Sequence, residues 1–297
     1  MQTENVTLLG WQERFGAEKA CLDQLIRYRW PDGFICPHCG HDQGYFIGGR
    51  HIYQCTACTR QVSVMAGTIF EDSKLPLVKW FRAIYLMASD KGGISALRLA
   101  QQIEVSWITA HRMLRKIRIA MGHRDSLYRL HNLIEIDDAL VGGRRSGKRG
   151  RGAEGKTPIL VAVENRGEKA GYVAMETVAS VTKQTVRAFA ERHFNPAQMV
   201  RSDALASLSS LGETQHHEAR ITPADKAGEW LPWVHITIGN LKTFLLGTYH
   251  GVSGKYFQEY LNEFCYRFNR RQVLQELPLR LLNACVQHVP IRHAVLC

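Results

Sequence analysis

Two aspartates provide the clearest indication of chemistry in this sequence. Asp137 closes the strand-like run 133–137, and Asp203 closes the strand-like run 199–203. Carboxylates from neighbouring strands commonly hold Mg²⁺ for phosphoryl chemistry. The pair therefore predicts a metal site, although a lone aspartate at a strand end is more often a cap or turn residue.

The segments between the two aspartates predict that they lie side by side. β-forming residues occupy 159–164 and 172–176, and a helix-like run at 183–193 precedes the strand that ends at Asp203. This strand-strand-strand-helix-strand order is that of the ribonuclease H-like fold, in which the first and fourth strands are neighbours. We expect an α/β domain with a ribonuclease H-like mixed sheet and flanking helices.

A site with two metal ions needs a third ligand, and Asn240 is the candidate. An amide oxygen can coordinate Mg²⁺, although it binds more weakly than a carboxylate because it is neutral. Three glutamates compete with it. Glu229 precedes Trp-Leu-Pro outside any clear helix, whereas Glu259 and Glu263 belong to an amphipathic helix and are expected to face outward.

Four cysteines form two C-x-x-C pairs with the spacing of a zinc ribbon. Fifteen residues separate the pair Cys36 and Cys39 from the pair Cys55 and Cys58. Four thiolates around Zn²⁺ replace the hydrophobic core that so short a segment cannot form. A redox dithiol is the alternative, but one pair would suffice for it. The other cysteines show no pairing pattern, which suits a reducing compartment: Cys21, Cys265, Cys285 and Cys297.

The segment 94–118 has the pattern of two short helices joined by a turn near 104–106. Ser95 and Ser106 are suitable N-cap residues. The second helix is expected to expose a basic face to a DNA groove and its phosphates. An ordinary helical hairpin with a solvated basic face is the alternative. The residues of this face are His111, Arg112, Arg115, Lys116 and Arg118.

A basic, glycine-rich arm lies between the first two strands of the expected sheet. The segment 144–156 holds six basic residues, four glycines and one acid, so it can follow a phosphate backbone unless it is only a solvated hairpin tip. His250 either positions DNA or caps a helix. The candidate phosphate-binding residues are Arg144, Arg145, Lys148, Arg149, Arg151 and Lys156 in the arm, with Lys242, Arg267, Arg270 and Arg271 beyond it.

Composition agrees with a polyanionic partner. The chain has 297 residues, a net charge of +11 and 45% hydrophobic residues, and its pI is near 9.4. Such a charge favours nucleic acid. Because no apolar run reaches 18 residues and no signal-peptide pattern is present, we expect no membrane association and a cytoplasmic, nucleoid-associated protein. The expected organisation is an N-terminal helical segment (1–30, with its helix at 15–29), a zinc ribbon (31–66), a helical DNA-binding region (67–125), the ribonuclease H-like domain (131–275) and a C-terminal tail (276–297).

In combination, these motifs resemble those of bacterial insertion-sequence transposases with an N-terminal zinc ribbon and a DDE-type catalytic domain, the fifteen-ninety-five group. The resemblance runs from about residue 15 to 272. Besides the ribbon, it rests on Ala66-Gly-Thr-Ile-Phe70, Leu75-Pro-Leu, Ile136-Asp-Asp-Ala-Leu-Val-Gly-Gly143, Ser202-Asp-Ala-Leu205, Gly247-Thr-Tyr-His-Gly-Val-Ser253 and Glu263-Phe with Arg267-Phe-Asn-Arg-Arg271.

The resemblance implies a Mg²⁺-dependent enzyme, or one using Mn²⁺ in its place, that cleaves DNA at the element's ends and joins them to target DNA. It implies that Asp137 bridges two metal ions and that Asp203 and Asn240 each complete one, since the resemblance extends to members with asparagine at the third position. Terminal inverted repeats, target DNA and a second copy of the chain are the implied partners.

Two other functions fit the same motifs. A DNA-binding regulator without catalysis would use the ribbon and the helices alone, but paired acids weaken DNA binding unless a metal screens them. A catalytically degenerate transposase would keep the fold and lose the reaction.

Overall fold

The computed structural model describes residues 6–142, 156–223, 227–250 and 252–287. The chain forms two compact units. One comprises the residues up to Met121 together with those from Gln272 onward, and the other comprises Gly122–Arg271. Within the described ranges, no helix has the length and apolar character needed to cross a membrane.

The ribbon is a three-stranded antiparallel sheet over a small aromatic core. The ring of Phe34 stacks on that of Tyr53 at 4.7 Å, and Trp30 packs edge-on against both. Gly44 is required at the start of the first strand because a Cβ there would lie 2.7 Å from the Phe34 ring. The strands are β1 (Gly44–Ile47), β2 (Ile52–Cys55) and β3 (Gln61–Ser63).

The N-terminal segment contains two helices rather than the single helix expected at 15–29. Thr7 caps the first helix by accepting a hydrogen bond from the Gly10 N–H at 3.1 Å. Gly16 follows the last residue of this helix, and the helix ends there because glycine has a low helix propensity. The second helix buries Cys21, Leu22 and Leu25. The two helices are α1 (Leu8–Phe15) and α2 (Glu18–Arg29).

The two helices expected within 94–118 are present, with both predicted caps. Ser95 accepts from the Arg98 N–H and Ser106 from the Thr109 N–H, each at 3.2 Å. Glu104 turns the chain between them in the left-handed conformation, at φ 54°. The helices in this part of the chain are α3 (Leu77–Ser89), α4 (Ala96–Ile103) and α5 (Trp107–Ser126).

The segment expected as a C-terminal tail contributes a buried helix to the first unit. The Ile69 N–H donates to the Cys285 carbonyl at 3.2 Å, and Leu281 and Leu282 are fully buried. This helix has the apolar repeat of a core helix, so it packs beside α3. We number it α10 (Leu277–Gln287).

The second unit contains the expected mixed sheet. Its order is β6-β5-β4-β7-β8, with β4 antiparallel to β5 and parallel to β7. The first and fourth strands are therefore neighbours, as in the ribonuclease H-like fold. The strands are β4 (Leu133–Val141), β5 (Thr157–Asn165), β6 (Ala170–Thr177), β7 (Met199–Asp203) and β8 (His216–Arg220).

Helices cover both faces of this sheet because β4 alternates its side chains between two apolar layers. Ile134 and Ile136 pack against one helix, whereas Ala139 and Val141 pack against the others. The first layer contains α6 (Lys183–His193), and the second contains α8 (Pro232–Phe244) and α9 (Phe257–Asn269); the short α7 (Ala227–Trp230) precedes α8.

Side-chain amides of α9 occupy the edge of the sheet at β6. Asn269 accepts from the Val173 N–H at 2.8 Å and donates to the Val173 carbonyl at 3.1 Å. Gln258 accepts from the Thr177 N–H at 2.8 Å and donates to the Met175 carbonyl at 3.2 Å. These bonds satisfy an edge that could otherwise pair with another chain.

Candidate active site

The two aspartates extend from neighbouring parallel strands at the same level of the sheet. The pairing of β4 with β7 ends at Ile136 and Ser202, and each aspartate is the next residue. The expectation that Asp137 closes its strand was wrong, because β4 continues to Val141 along its other neighbour, β5. Asp137 is the first residue of β4 beyond its pairing with β7, and Asp203 is the first residue of β7 beyond the same pairing. The two carboxylates therefore lie side by side, although β4 itself continues.

A buried glutamate that the sequence reasoning missed anchors the helix above the pair. Glu135 accepts from the Trp233 N–H at 2.8 Å and the Val234 N–H at 2.9 Å, both in the first turn of α8. Asn165 adds a third bond at 2.7 Å. Burial raises the pKa of Glu135, and these three donors oppose that rise. The carboxylate binds where the helix dipole favours negative charge.

His235, also missed, is the residue of α8 beside the aspartates. Its Nδ1 lies 3.6 Å from Oδ2 of Asp137, whose side chain is 15% exposed. Burial lowers the pKa of His235, and the charge of Asp203 partly opposes that effect. The imidazole is therefore largely neutral near pH 7 and does not cancel the charge of the two acids. The contact of Glu135 with α8 places this histidine, and because that contact is non-local it leaves no local signal in the sequence.

Asn240 lies on α8 but on a different side of the helix from His235. Five residues separate the two positions, which places them about 140° apart around the helix axis. The Asn240 side chain is exposed. His235 is an α8 side chain that the structure brings to Asp137.

The competing glutamates occupy three different environments. Glu229 is exposed on α7. The expectation that Glu259 and Glu263 face outward was wrong, since they are 9% and 0% exposed. Glu263 pairs with Arg267 at 3.2 Å and accepts from the Tyr249 hydroxyl at 3.2 Å. It serves the packing of α9, and its ion pair compensates its burial.

An open cavity adjoins Asp203. It has a volume of about 360 Å³, and its lining includes Asp203 and Arg220. Arg220 is the in-register partner of Asp203 on β8. Its guanidinium lies 5.6 Å from the Trp230 ring centroid, and that of Arg201 lies 4.7 Å from the same ring. The aspartate pair is therefore bordered by cationic groups beside an aromatic ring, a combination that suits a phosphate chain.

The four ribbon cysteines converge as the spacing predicted. Their sulfurs all lie within 4.8 Å of one another. The carbonyl of Cys36 accepts from the Gly40 N–H at 2.9 Å, and that of Cys55 accepts from the Thr59 N–H at 3.1 Å. Burial opposes ionisation of Cys36, but the backbone N–H groups of His38 and Cys39, together with the thiols of Cys39 and Cys58, outweigh it and lower the pKa of this thiol to about 7. The four sulfurs fit a tetrahedral Zn²⁺ site.

The basic face predicted on α5 is largely buried. Arg115 and Arg118 are 4% and 1% exposed, so the expectation that they face DNA was wrong. Lys116 is half-buried, and its ammonium donates to the Ile69 carbonyl at 2.9 Å. His111 stacks on Trp107 at 5.0 Å. Of the five predicted residues, only Arg112 is exposed, because the apolar stripe of the helix extends around these arginine stems.

The arginines at the end of α9 are also engaged within the protein. Arg270 pairs with Asp125 at 2.7 Å. Arg271 donates to the Phe268 carbonyl at 2.7 Å and to that of Ala170. Arg271 thus joins the end of α9 to the start of β6, and Arg270 joins it to the end of α5. Arg267, Arg270 and Arg271 are all half-buried, and that they hold phosphates stays a prediction.

The remaining predicted phosphate-binding residues differ in how far the structure describes them. Lys242 is exposed on α8 and Lys156 is half-buried before β5. His250 follows the π-helical end of α8 at φ 52°, the C-cap position, which is one of its two expected roles. Arg144, Arg145, Lys148, Arg149 and Arg151 lie outside the described residues.

Comparison with known proteins gives matches along most of the chain. Residues 16–61 match the family model of the transposase zinc-ribbon domain, and residues 129–269 match that of the ISXO2-like transposase domain. A Halobacterium salinarum sequence, described as an uncharacterized protein in the transposable element ISH50, is 27% identical over 217 residues. That match covers 67% of this chain and 71% of the relative.

Two solved structures show distant likenesses. The Mos1 strand transfer complex has a TM-score of 0.31 at 13% identity, covering 72% of this chain and 79% of that one. The Mos1 mariner paired end complex with Mn has a TM-score of 0.28 at 12% identity, covering 69% and 77%. The two domain matches together identify the chain as a transposase: a transposase zinc ribbon is followed by an ISXO2-like transposase domain.

Proposed function

We propose that this transposase cleaves DNA at the ends of its element and joins the freed 3′ ends to target DNA, with Mg²⁺ or Mn²⁺ held by Asp137, Asp203 and Asn240. The observation that carries the proposal is the register of β4 and β7, since it puts two carboxylates at one level on adjacent strands. Oxygen ligands of this kind suit hard divalent cations.

Each residue has a separate part in the proposed reaction. The bound metal would supply Lewis-acid activation of the attacking oxygen and stabilisation of the leaving one. Glu135 fixes the start of α8 against the sheet, and His235 restrains the Asp137 carboxylate from that helix. Asn240, exposed on the same helix, is the third ligand by the family pattern.

DNA is the proposed partner, and a homo-oligomer that holds two element ends is the proposed assembly. The support is the net charge of +11, the cationic groups beside Asp203 and the exposed Arg112 and Lys242. Phosphate contacts from such residues orient DNA without reading its sequence. The zinc ribbon would place the chain on the terminal repeats.

A strand-transfer assay on the element's terminal repeats tests the reaction. Asp137→Asn and Asp203→Asn each remove one charged ligand and should reduce the product by at least 100-fold in Mg²⁺. Asp138→Asn is the matched control, since its side chain lies on the opposite face of the same strand. Equal product from the wild type and both Asn variants would refute the catalytic role. DNA that is bound but never cut by the wild type would favour a regulator or a degenerate transposase.

A further inference from the structure

A second cavity in the sheet unit combines apolar walls with cationic groups. Its volume is about 290 Å³, close to the lower end of the range for ligand sites, roughly 300 Å³. It lies between the end of β4 and the π-helical end of α8. Its apolar lining includes Leu140, Val141, Leu245, Leu246, Val252 and Phe257, and its polar lining includes the ammonium groups of Lys156 and Lys242 and the imidazole of His250.

The cationic groups of this cavity are available to a ligand. Among the residues that the structure describes, no carboxylate forms an ion pair with Lys156 or Lys242. His250 is exposed beside them. Two uncompensated ammonium groups over an apolar cavity favour a ligand that carries a negative charge next to an apolar surface.

We infer that this cavity binds a single unstacked nucleotide of the DNA, with the base against the apolar wall and its phosphate at Lys156 and Lys242. This inference rests on the proposed function. In a stacked duplex the phosphates face outward and the apolar faces of the bases are covered by their neighbours. Only a base that has left the stack offers both surfaces at once.

The wall of the cavity has the features of a site rather than of a packing defect. Leu246 is 65% exposed, although an apolar side chain of this size gains most when it is covered. It belongs to the π-helical segment Leu245–Tyr249, and π-helical turns occur frequently at functional sites. The left-handed conformation of His250 ends that segment at the cavity.

The cavity lies on the same strand as the aspartate pair. Val141 follows Asp137 by four residues along β4, a separation of about 13 Å at 3.3 Å per residue. One strand of stacked DNA rises about 3.4 Å per nucleotide. The unstacked nucleotide is therefore expected within about four positions of the phosphate that is cut.

Binding of short oligonucleotides to the full chain tests this assignment. The probes are fluorescein-labelled dT4 and a tetranucleotide of abasic units with the same backbone. We expect dT4 to bind about tenfold more tightly, because base contacts add to the common phosphate contacts. Leu246→Glu should abolish this ratio, whereas Leu127→Glu should keep it. Leu127, at 69% exposure, is a similarly exposed leucine of the same unit outside the cavity.

Each outcome decides the proposal. A tenfold ratio that Leu246→Glu alone removes supports a base in the cavity. Equal binding of the two probes by the wild type would show that only the phosphates are contacted. An affinity ratio that is unchanged in Leu246→Glu would show that the base binds outside the cavity. Either result would overturn the proposal. Asp137→Asn should leave the ratio of the dT4 and abasic affinities unchanged. The assignment of the cavity can therefore be wrong while the proposed strand-transfer reaction is right, and the reaction can be wrong while the assignment is right.

Discussion

At the scale of single residues, the unexpected feature of the active site is His235. A neutral imidazole 3.6 Å from Asp137 cannot neutralise the acids, but its ring limits the positions that the carboxylate can take. Groups that orient metal ligands typically change activity by about 10- to 100-fold when they are removed. Because His235 and Asn240 lie on different sides of α8, we expect substitutions of the two residues to affect the proposed reaction separately.

We expect His235→Ala to reduce strand transfer by about 10- to 100-fold with little loss of stability, because the imidazole is 37% exposed. The reaction rate and the thermal melting temperature should be measured together. His216→Ala, an exposed histidine on the edge strand β8, is the control. A rate equal to that of the wild type would exclude a positioning role for His235.

At the scale of elements, one buried carboxylate connects the sheet to the helix that covers it. Glu135 and the first turn of α8 are 98 and 99 residues apart in sequence, yet three hydrogen bonds converge on this side chain from α8 and β5. The position of His235 beside Asp137 depends on that attachment. We therefore expect substitution of Glu135 to lower both the stability of the fold and the proposed activity.

Replacement of Glu135 by alanine should destabilise the fold by about 3 kcal/mol, since it leaves buried donors without an acceptor. It should also reduce strand transfer under conditions where the protein remains folded, because α8 loses its anchor. Urea unfolding and the strand-transfer rate are the two measurements. Glu218→Ala removes an exposed glutamate of β8 and should change neither by much. Wild-type stability of Glu135→Ala would contradict the anchoring role.

The strands β4 to β7, the helix α6 and the helix pair α4 and α5 were predictable from the sequence because their apolar periods and caps are local signals. The strand β8 was not predicted, because its mostly exposed residues show no apolar period. The full length of β4 was not predictable from the sequence, since its pairing with β5 continues past Asp137 while its pairing with β7 stops. The contact of Glu135 with α8 is non-local and leaves no periodic trace. The sequence analysis expected Arg115 and Arg118 to be exposed because their guanidinium groups are charged. Their burial was missed because the methylene groups of an arginine pack like an apolar side chain.

At the scale of the whole molecule, positive charge is abundant but only part of it faces outward. The net charge of +11 predicts DNA binding that weakens with salt, whereas Arg115, Arg118, Arg270 and Arg271 stabilise the fold instead. Exposed and buried arginines of one helix should therefore respond differently to the same substitution.

We expect Arg112→Ala to weaken DNA binding and to reduce the slope of log Kd against log salt by about one, as for a single lost phosphate contact. Arg115→Ala, three residues along α5, should instead lower the unfolding temperature, because it removes a buried side chain that is 4% exposed. Salt titrations of DNA binding and thermal melts distinguish the two. Equal effects of both substitutions on the salt slope would contradict the burial of Arg115.

The central claim is that Asp137 and Asp203 bind the metal of a DNA-joining reaction, and metal rescue tests it most directly. Strand transfer should be measured in Mg²⁺ and in Mn²⁺ for Asp137→Cys and Asp203→Cys, with Asp137→Ala and Asp203→Ala beside them. A thiolate is a poor ligand for Mg²⁺ and accepts softer ions. We predict that the Cys variants are inactive in Mg²⁺ and regain activity in Mn²⁺, while the Ala variants stay inactive in both. Wild-type activity of the Ala variants in Mg²⁺ would contradict the claim.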